Sequence, residues 1–149
     1  MKAGIFIQEI EAIATHCVRH PVLRKGRPLE SCIFEGDALA STIHLGAFAG
    51  EELVGVLSAY KKNHPAFNET NAYQVRGVAV LKTHQQKGIG RQLMVEIERI
   101  LGEKKTALLW LNARLSAIPF YQRLNYTVKG NEFDIPLVGP HFCYYKFLT

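Results

Sequence analysis

The chain has 149 residues, a length typical of one domain, so we expect a single domain over residues 1–149. Hydrophobic residues make up 48% of it and charged residues 21%, a balance that excludes an intrinsically disordered chain. The net charge of +5 fits an anionic ligand, but the basic residues are scattered, so we do not expect nucleic acid as a partner.

Cysteine, histidine and the N-terminal residues exclude several other classes. Cys17, Cys32 and Cys143 are odd in number and form no CxxC motif, which argues against a disulfide framework and a zinc site. His16 and His20 are four residues apart but lack the glutamate of an HExxH motif, so no metal is expected. We find no signal peptide and no apolar run of 18 residues, and therefore expect a cytoplasmic protein without a membrane partner.

The first half of the chain alternates between apolar runs and segments rich in turn residues. A helix is predicted over residues 11–23, which Pro21 should kink or end, followed by a loop with a short helix over residues 24–37. The turn at Gly50 and Glu51 joins two apolar runs and predicts a hairpin. Residues 61–70 are predicted to form a loop. Strands are predicted over residues 5–10, 44–49, 53–60 and 73–81.

The second half changes to a helical period after Gly88. Apolar residues there fall on one helical face, and Gly102 is predicted to end that helix. Ser116 is a candidate cap for a second, short helix, and Asn125 is expected to end it in the left-handed conformation. Further strands are predicted over residues 107–111, 126–129 and 142–148. Strands interleaved with two late helices predict a mixed α/β or α+β sheet.

The junction between the Val-rich strand and the long helix has the features of an anion site. The first amides of a helix have no partner within it, and the macrodipole places positive potential there. Gly88 and Gly90 allow a ligand to approach the backbone, while Lys87 and Arg91 add positive charge beside it. A diphosphate suits such a site. The alternative is that the two glycines only make a tight turn, and neither a Rossmann fingerprint nor a P-loop is present.

Two stretches resemble a known family. Gln85-x-x-Gly88-x-Gly90, placed between a strand and an amphipathic helix, resembles the acyl-CoA-binding motif of the GNAT superfamily of N-acyltransferases. Residues 109–126 resemble the strand–helix block of the same family, which usually ends in Phe-Tyr-x-x-x-Gly-Phe. Here Asn125 and Tyr126 replace the final Gly-Phe, and asparagine tolerates the left-handed conformation better than most residues.

The resemblance implies a central, mostly antiparallel twisted sheet with a splayed strand pair, flanked by helices. It implies an N-acetyltransferase that moves an acetyl group from acetyl-CoA, its co-substrate, to a primary amine by direct attack in a ternary complex. A homodimer is also possible in this family, since many relatives are dimers. The residues that would hold acetyl-CoA are Val78, Ala79, Val80, Gln85, Gln86, Lys87, Gly88, Ile89, Gly90, Arg91, Asn112 and Tyr121.

The resemblance also assigns chemistry. Tyr121 matches the tyrosine that commonly protonates the leaving thiolate, although it could instead be a core aromatic residue. The amide of Val78 or Ala79 is a candidate donor to the oxyanion. Many relatives have a glutamate as general base where this chain has Gln74. We therefore consider His141 the first candidate for the base, because it leads into the last strand; the alternatives are water and the carboxylates of Glu30, Glu35 and Asp37.

Two other functions are compatible with the sequence. A non-catalytic acyl-CoA-binding module would keep the turn and lose the chemistry, and the absence of a carboxylate at Gln74 favours it. Retention of Tyr121 argues against it. A nucleic-acid-binding domain is suggested only by the positive charge, and its binding would fall steeply with salt.

Overall fold

Seven strands form a single sheet in this protein. The computed structural model describes residues 4–148, and the strands follow the order β1-β2-β3-β4-β5-β7-β6. The sheet is mostly antiparallel, with one parallel pair, and helices flank it, which confirms the expected mixed α/β class. The strands are β1 (Ile5–Glu9), β2 (Ile43–Ala49), β3 (Glu52–Lys61), β4 (Ala72–Val80), β5 (Leu108–Arg114), β6 (Thr127–Ile135) and β7 (Gly139–Phe147). The helices are α1 (His16–Leu23), α2 (Ile89–Glu103) and α3 (Ile118–Arg123).

The chain divides into two compact units. The first comprises Met1–Tyr60 and Val75–Ile100, and the second comprises Lys61–Gln74 and Leu101–Thr149. The expectation of a single domain over residues 1–149 stays a prediction. Across residues 4–148, no helix combines the length and the apolar character needed to span a membrane.

An antiparallel meander and α1 make up much of the first unit. β1 pairs with β2 and β2 with β3, and the predicted hairpin is confirmed, with Gly50 in the left-handed region at φ +62°. Val18 of α1 packs against Val56 of β3 and Ala79 of β4 in one buried cluster. Because α1 buries its apolar side here, its other side chains are fixed relative to β3 and β4.

The helix predicted over residues 11–23 consists of two parts. A 3₁₀ turn at Ala12–Thr15 precedes α1, and Pro21 lies inside α1 rather than at its end. The helix ends two residues later, where the amide of Arg24 bonds to the carbonyls of Arg19 and His20. The predicted short helix in the following loop is also present, as a 3₁₀ turn at Leu29–Cys32.

The second unit contains an antiparallel sheet of β5, β7 and β6. β5 and β6 extend beyond their predicted ends and β7 begins before its predicted start, because antiparallel pairing continues there. The pairing of β6 with β7 has a register shift between Lys129 and Phe133. One face buries Trp110 of β5 and Cys143 of β7 with Ala72 and Leu108, and Phe67 and Tyr145 pack against them. This face is where the side chains of alternate residues in β5 and β7 meet.

Two predicted helix boundaries are wrong. Ser116 does not cap α3, because a 3₁₀ turn at Leu115–Ala117 comes first and the cap residue Ala117 makes no side-chain hydrogen bond. Gly102 does not end α2, which continues to Glu103; Lys105 takes the left-handed conformation instead, at φ +61°. Asn125 is left-handed at φ +70°, as predicted.

Candidate active site

The turn between β4 and α2 is shaped by residues of the predicted acyl-CoA motif. The side-chain amide of Gln85 donates a 2.9 Å hydrogen bond to the carbonyl of Val80, which ties the turn to the end of the strand. Gln86 and Gly88 both have positive φ, +61° and +81°. The carbonyl of Gly88 accepts the first helical hydrogen bond, from the amide of Gln92 at 3.0 Å. Gly88 is therefore the residue that caps α2, and it has no side chain to cover the helix amides.

This turn is open on one side and anchored on the other. A Cβ added to Gly88 would have no atom within 4 Å, and Lys87 and Arg91 are exposed. Ile89 is only 1% exposed, and a Cβ added to Gly55 of β3 would lie 3.0 Å from its Cγ2. The first turn of α2 is thus fixed to the sheet while its backbone and two cationic side chains remain accessible, as an anion site requires.

Gly77 interrupts β4 just before Val78 and Ala79. Its φ is +67°, and a Cβ there would lie 3.0 Å from Cε2 of Phe34 and 3.6 Å from Nε of Arg19. Only glycine satisfies both the backbone angle and the close approach. No prediction was made for Gly77 from the sequence, although a glycine inside a strand pattern is the usual signal of a bulge.

A buried polar network lies behind Gly77. Arg19, 0% exposed, donates from Nη1 to Oδ2 of Asp37 at 2.6 Å and to the carbonyl of Cys32 at 2.8 Å. Its Nη2 donates to Oδ1 of Asp37 at 3.2 Å, to Oγ of Ser58 at 2.8 Å and to the hydroxyl of Tyr60 at 3.1 Å. This network was not predictable from sequence, because its members come from α1, a loop and β3.

The same network excludes Asp37 as an effective base. Burial raises the pKa of this carboxyl, but hydrogen bonds from Arg19, Tyr60 and the amide of Phe34, together with the charge of Arg19, outweigh burial and leave the pKa below its ordinary value. The pKa of Tyr60 is raised to about 12, first by burial and then by its bond to Asp37. A carboxylate held in this way accepts a proton only reluctantly.

His44, to which the sequence analysis gave no role, completes the network. It is 6% exposed; its Nδ1 lies 2.6 Å from Oγ of Ser58 and its Nε2 lies 2.9 Å from the carbonyl of Asp37. A carbonyl only accepts, so Nε2 carries the hydrogen, and Ser58 donates to Nδ1 while it accepts from Arg19. These bonds use both ring nitrogens for structure.

The second unit places Asn112 and His141 on one face of its sheet. Asn112 of β5 is opposite Cys143 of β7, and His141 is two residues from Cys143 along β7. The two side chains are therefore diagonal neighbours, a relation that corresponds to about 7–8 Å between backbones. Asn112 is partly exposed, whereas His141 is 4% exposed.

The orientation of the His141 ring follows from one hydrogen bond. Nδ1 lies 2.8 Å from the carbonyl of Gly139, so Nδ1 carries the hydrogen and Nε2 has the free lone pair in the neutral ring. The Phe133 ring is 6.2 Å away, centroid to centroid. This is the tautomer that a general base needs.

Tyr121 lies in α3 and is 7% exposed. Its ring contacts those of Phe120, at 4.9 Å between centroids, and Tyr126, at 6.0 Å. Burial raises the pKa of its phenol above the ordinary value, so the hydroxyl is protonated at neutral pH. Such a group is equipped to donate a proton, although a raised pKa also makes it a weaker acid.

Three further positions were considered for the base: the position of Gln74, where many relatives have a glutamate, and the carboxylates of Glu30 and Glu35. Gln74 is 7% exposed in β4, and its amide cannot act as a base. Glu30 and Glu35 are exposed. Among residues 4–148, no three His, Cys, Asp or Glu side chains lie close enough to hold a metal ion.

Comparison with known proteins gives consistent results. The sequence profile of the acetyltransferase (GNAT) family matches residues 7–126. An uncharacterized N-acetyltransferase of Bacillus subtilis strain 168, YitI, is 31% identical over 142 residues, which are 95% of each chain.

Solved structures show the same fold at low sequence identity. An aminoglycoside 6'-N-acetyltransferase, crystallised with coenzyme A, superposes with a TM-score of 0.78 at 14% identity and 97% coverage of both chains. Escherichia coli ElaA superposes with a TM-score of 0.76 at 18% identity, over 96% of this chain and 99% of its own. With a profile match over most of the sequence and a relative above 30% identity, the chain belongs to the GNAT family of acetyltransferases.

Proposed function

We propose that the protein transfers an acetyl group from acetyl-CoA to a primary amine within a ternary complex. The observation that carries this proposal is the β4–α2 turn, where Gly88 caps an anchored helix with open backbone between Lys87 and Arg91. The backbone amides from Gln86 to Arg91 would hold the pyrophosphate, and Val78 and Val80 would pair with the pantetheine arm. The crystal structure of an aminoglycoside 6'-N-acetyltransferase with coenzyme A supports the choice of cofactor.

The proposed reaction forms one bond and breaks another. The neutral amine attacks the thioester carbonyl, and the backbone amide of Val78 or Ala79 stabilises the oxyanion. The C–N bond forms, the C–S bond breaks, and coenzyme A leaves as a thiolate that takes a proton from Tyr121. The surplus proton on nitrogen passes to His141 or to water. Much of the rate enhancement comes from holding the two substrates together.

Replacing Tyr121 with phenylalanine is expected to lower kcat at least about tenfold, because general acid catalysis typically contributes about 10²–10⁴-fold. The ring and its contacts with Phe120 and Tyr126 are retained. The rate is measured as thiol release over a panel of primary amines, and mass spectrometry identifies the N-acetylated product. Calorimetry measures the affinity for acetyl-CoA. Acetyl-CoA affinity should change little.

Tyr144→Phe is the matched control for this experiment. Tyr144 is 4% exposed in β7, opposite Leu111, so its variant also loses a buried phenol. Its kcat should match the wild type. An unchanged kcat for Tyr121→Phe, with chemistry shown to limit the rate, would contradict the proposed role of Tyr121.

His141→Gln is expected to remove the rising limb from the pH profile of kcat/KM. A general base accepts a proton only in its unprotonated form, which at His141 leaves the lone pair on Nε2, so loss of the ring removes this pH dependence. The measurement is the pH profile of kcat/KM for both proteins. His20→Gln is the control, because His20 bonds to the carbonyl of Arg27 outside the proposed site. A rising limb that survives in His141→Gln would assign the titration to the amine or to another group.

The second candidate function is a non-catalytic acyl-CoA-binding module. Gln74, which is buried where many relatives have a glutamate, is the observation that favours it. The same assay separates the two functions. A binding module would take up acetyl-CoA in calorimetry and release no thiol with any amine in the panel.

A further inference from the structure

Arg76 occupies a defined position on β4, immediately before Gly77. Its guanidinium carbon lies 5.2 Å from the centroid of the Phe34 ring and 5.5 Å from that of Tyr60, and the residue is partly exposed. A cation–π contact engages the charge of the guanidinium but not its N–H groups, which lie in the plane of the group. The two rings therefore position Arg76 while leaving hydrogen-bond donors for a ligand.

The charge around Arg76 is mainly positive. Phe34 has three guanidinium groups near its ring, with the carbon of Arg19 at 4.0 Å, that of Arg24 at 4.9 Å and that of Arg76 at 5.2 Å. Asp37 is the carboxylate of this group, and Arg19 and the amide of Phe34 already bind it. Across residues 4–148, no carboxylate lies within 4.0 Å of a guanidinium nitrogen of Arg76.

We propose that Arg76 binds a carboxylate of the acceptor, and that the acceptor is a small primary amine that also carries this carboxylate, as an amino acid does. This inference rests on the proposed function. A guanidinium matches a carboxylate in bidentate geometry, and each bond is charge-assisted. The positive charges of Arg19 and Arg24 beside the same Phe34 ring also favour an anion at Arg76.

The position of Arg76 along β4 fits an acceptor of this size. The backbone amides of Val78 and Ala79 are the candidate donors to the acyl oxygen. Val78 is two residues beyond Arg76, a span of at most roughly 7 Å of backbone. An amine that attacks at Val78 is therefore close enough for a carboxylate on the same short skeleton to reach the guanidinium. A long polyamine or a peptide lysine lacks an anionic group at that distance.

The inference can be tested by measuring how tightly the protein binds the expected products, without any catalytic turnover. These products are N-acetylated amino acids with small, apolar, acidic and basic side chains, and their binding is measured by calorimetry in the presence of coenzyme A. Each would be compared with the same compound capped as a carboxamide and with its phosphonate analogue. In the wild type, the best carboxylate should bind at least about tenfold more tightly than its amide, the effect of one charge-assisted pair. Arg76→Gln should abolish this preference, and Arg76→Lys should retain part of it.

Arg99→Gln is the control, because it removes an arginine from α2 that bonds to Glu96. It should leave the carboxylate preference intact. Equal binding of acid and amide by the wild type, or a preference that persists in Arg76→Gln, would overturn the inference, as would failure of every compound to bind. Tighter binding of the phosphonate than of the matching carboxylate would overturn the assignment of a carboxylate and indicate a phosphate-like group as the ligand of Arg76. If the wild type prefers the acid over the amide but releases no thiol with any amine in the earlier assay, the proposed function is refuted and the role of Arg76 is not.

Discussion

Gly90→Asp is expected to weaken acetyl-CoA binding on the order of 100-fold. The substitution places a carboxylate in the first turn of α2, where it would repel the diphosphate and displace it from the amides. Loss of two charge-assisted hydrogen bonds of about 1.5 kcal/mol each corresponds to a change of this size. Calorimetric titration of acetyl-CoA against the wild type and the variant measures it.

The fold should tolerate this change. An acidic side chain in the first helical turn interacts favourably with the macrodipole, and aspartate has a higher helix propensity than glycine. An equal Tm for the wild type and Gly90→Asp would show that weak binding does not arise from unfolding. Gly102→Asp is the control, since it adds the same side chain near the other end of the helix, where a Cβ would meet nothing within 4 Å. Equal affinity for acetyl-CoA in wild type and Gly90→Asp would place the diphosphate elsewhere.

The β4–α2 turn was predictable from sequence because its determinants are local. Gly88 and Gly90 stand at the start of a clear helical period, and a helix N-terminus without a capping side chain is an anion site for reasons of backbone chemistry alone. The same holds for Asn125, whose left-handed φ follows from its position after a short helix. Each of these features involves residues within one turn of each other.

The surroundings of Gly77 were not predictable in this way. Arg19 is 18 residues from Asp37 and 41 from Tyr60, so no spacing rule links them. Nothing in the sequence distinguishes a buried Arg–Asp pair from two surface charges. Asp37 was therefore among the candidate bases from sequence. No local pattern assigns a role to Arg76, which the rings of Phe34 and Tyr60 position.

Asp37→Asn is expected to cause a large loss of stability. It leaves the guanidinium of Arg19, 0% exposed, without its counterion, and breaking a buried pair from one side typically costs about 3–5 kcal/mol. For a chain of this length, that corresponds to a decrease in Tm of about 10 °C. Thermal unfolding by circular dichroism at neutral pH measures the effect.

The pH dependence gives a second readout. Because the folded-state pKa of Asp37 lies below its unfolded value, its ionisation stabilises the fold above the unfolded pKa, about 3.9, and this contribution is lost as the pH falls through the folded pKa. The wild type should therefore lose stability in acid more steeply than Asp37→Asn, which lacks the carboxylate at every pH.

Glu96→Gln is the matched control for the buried pair. Glu96 also pairs with an arginine, Arg99 at 2.8 Å, and the hydrogen bond from Arg99 lowers the pKa of Glu96. However, the two side chains are 28% and 54% exposed, and pairs in water contribute about 0–1 kcal/mol. Glu96→Gln should therefore shift Tm by only a few degrees. If the two variants lose equal stability, the buried Arg19–Asp37 pair contributes no more to the fold than an exposed pair. The position of Phe34 beside Arg76 would then depend on other contacts.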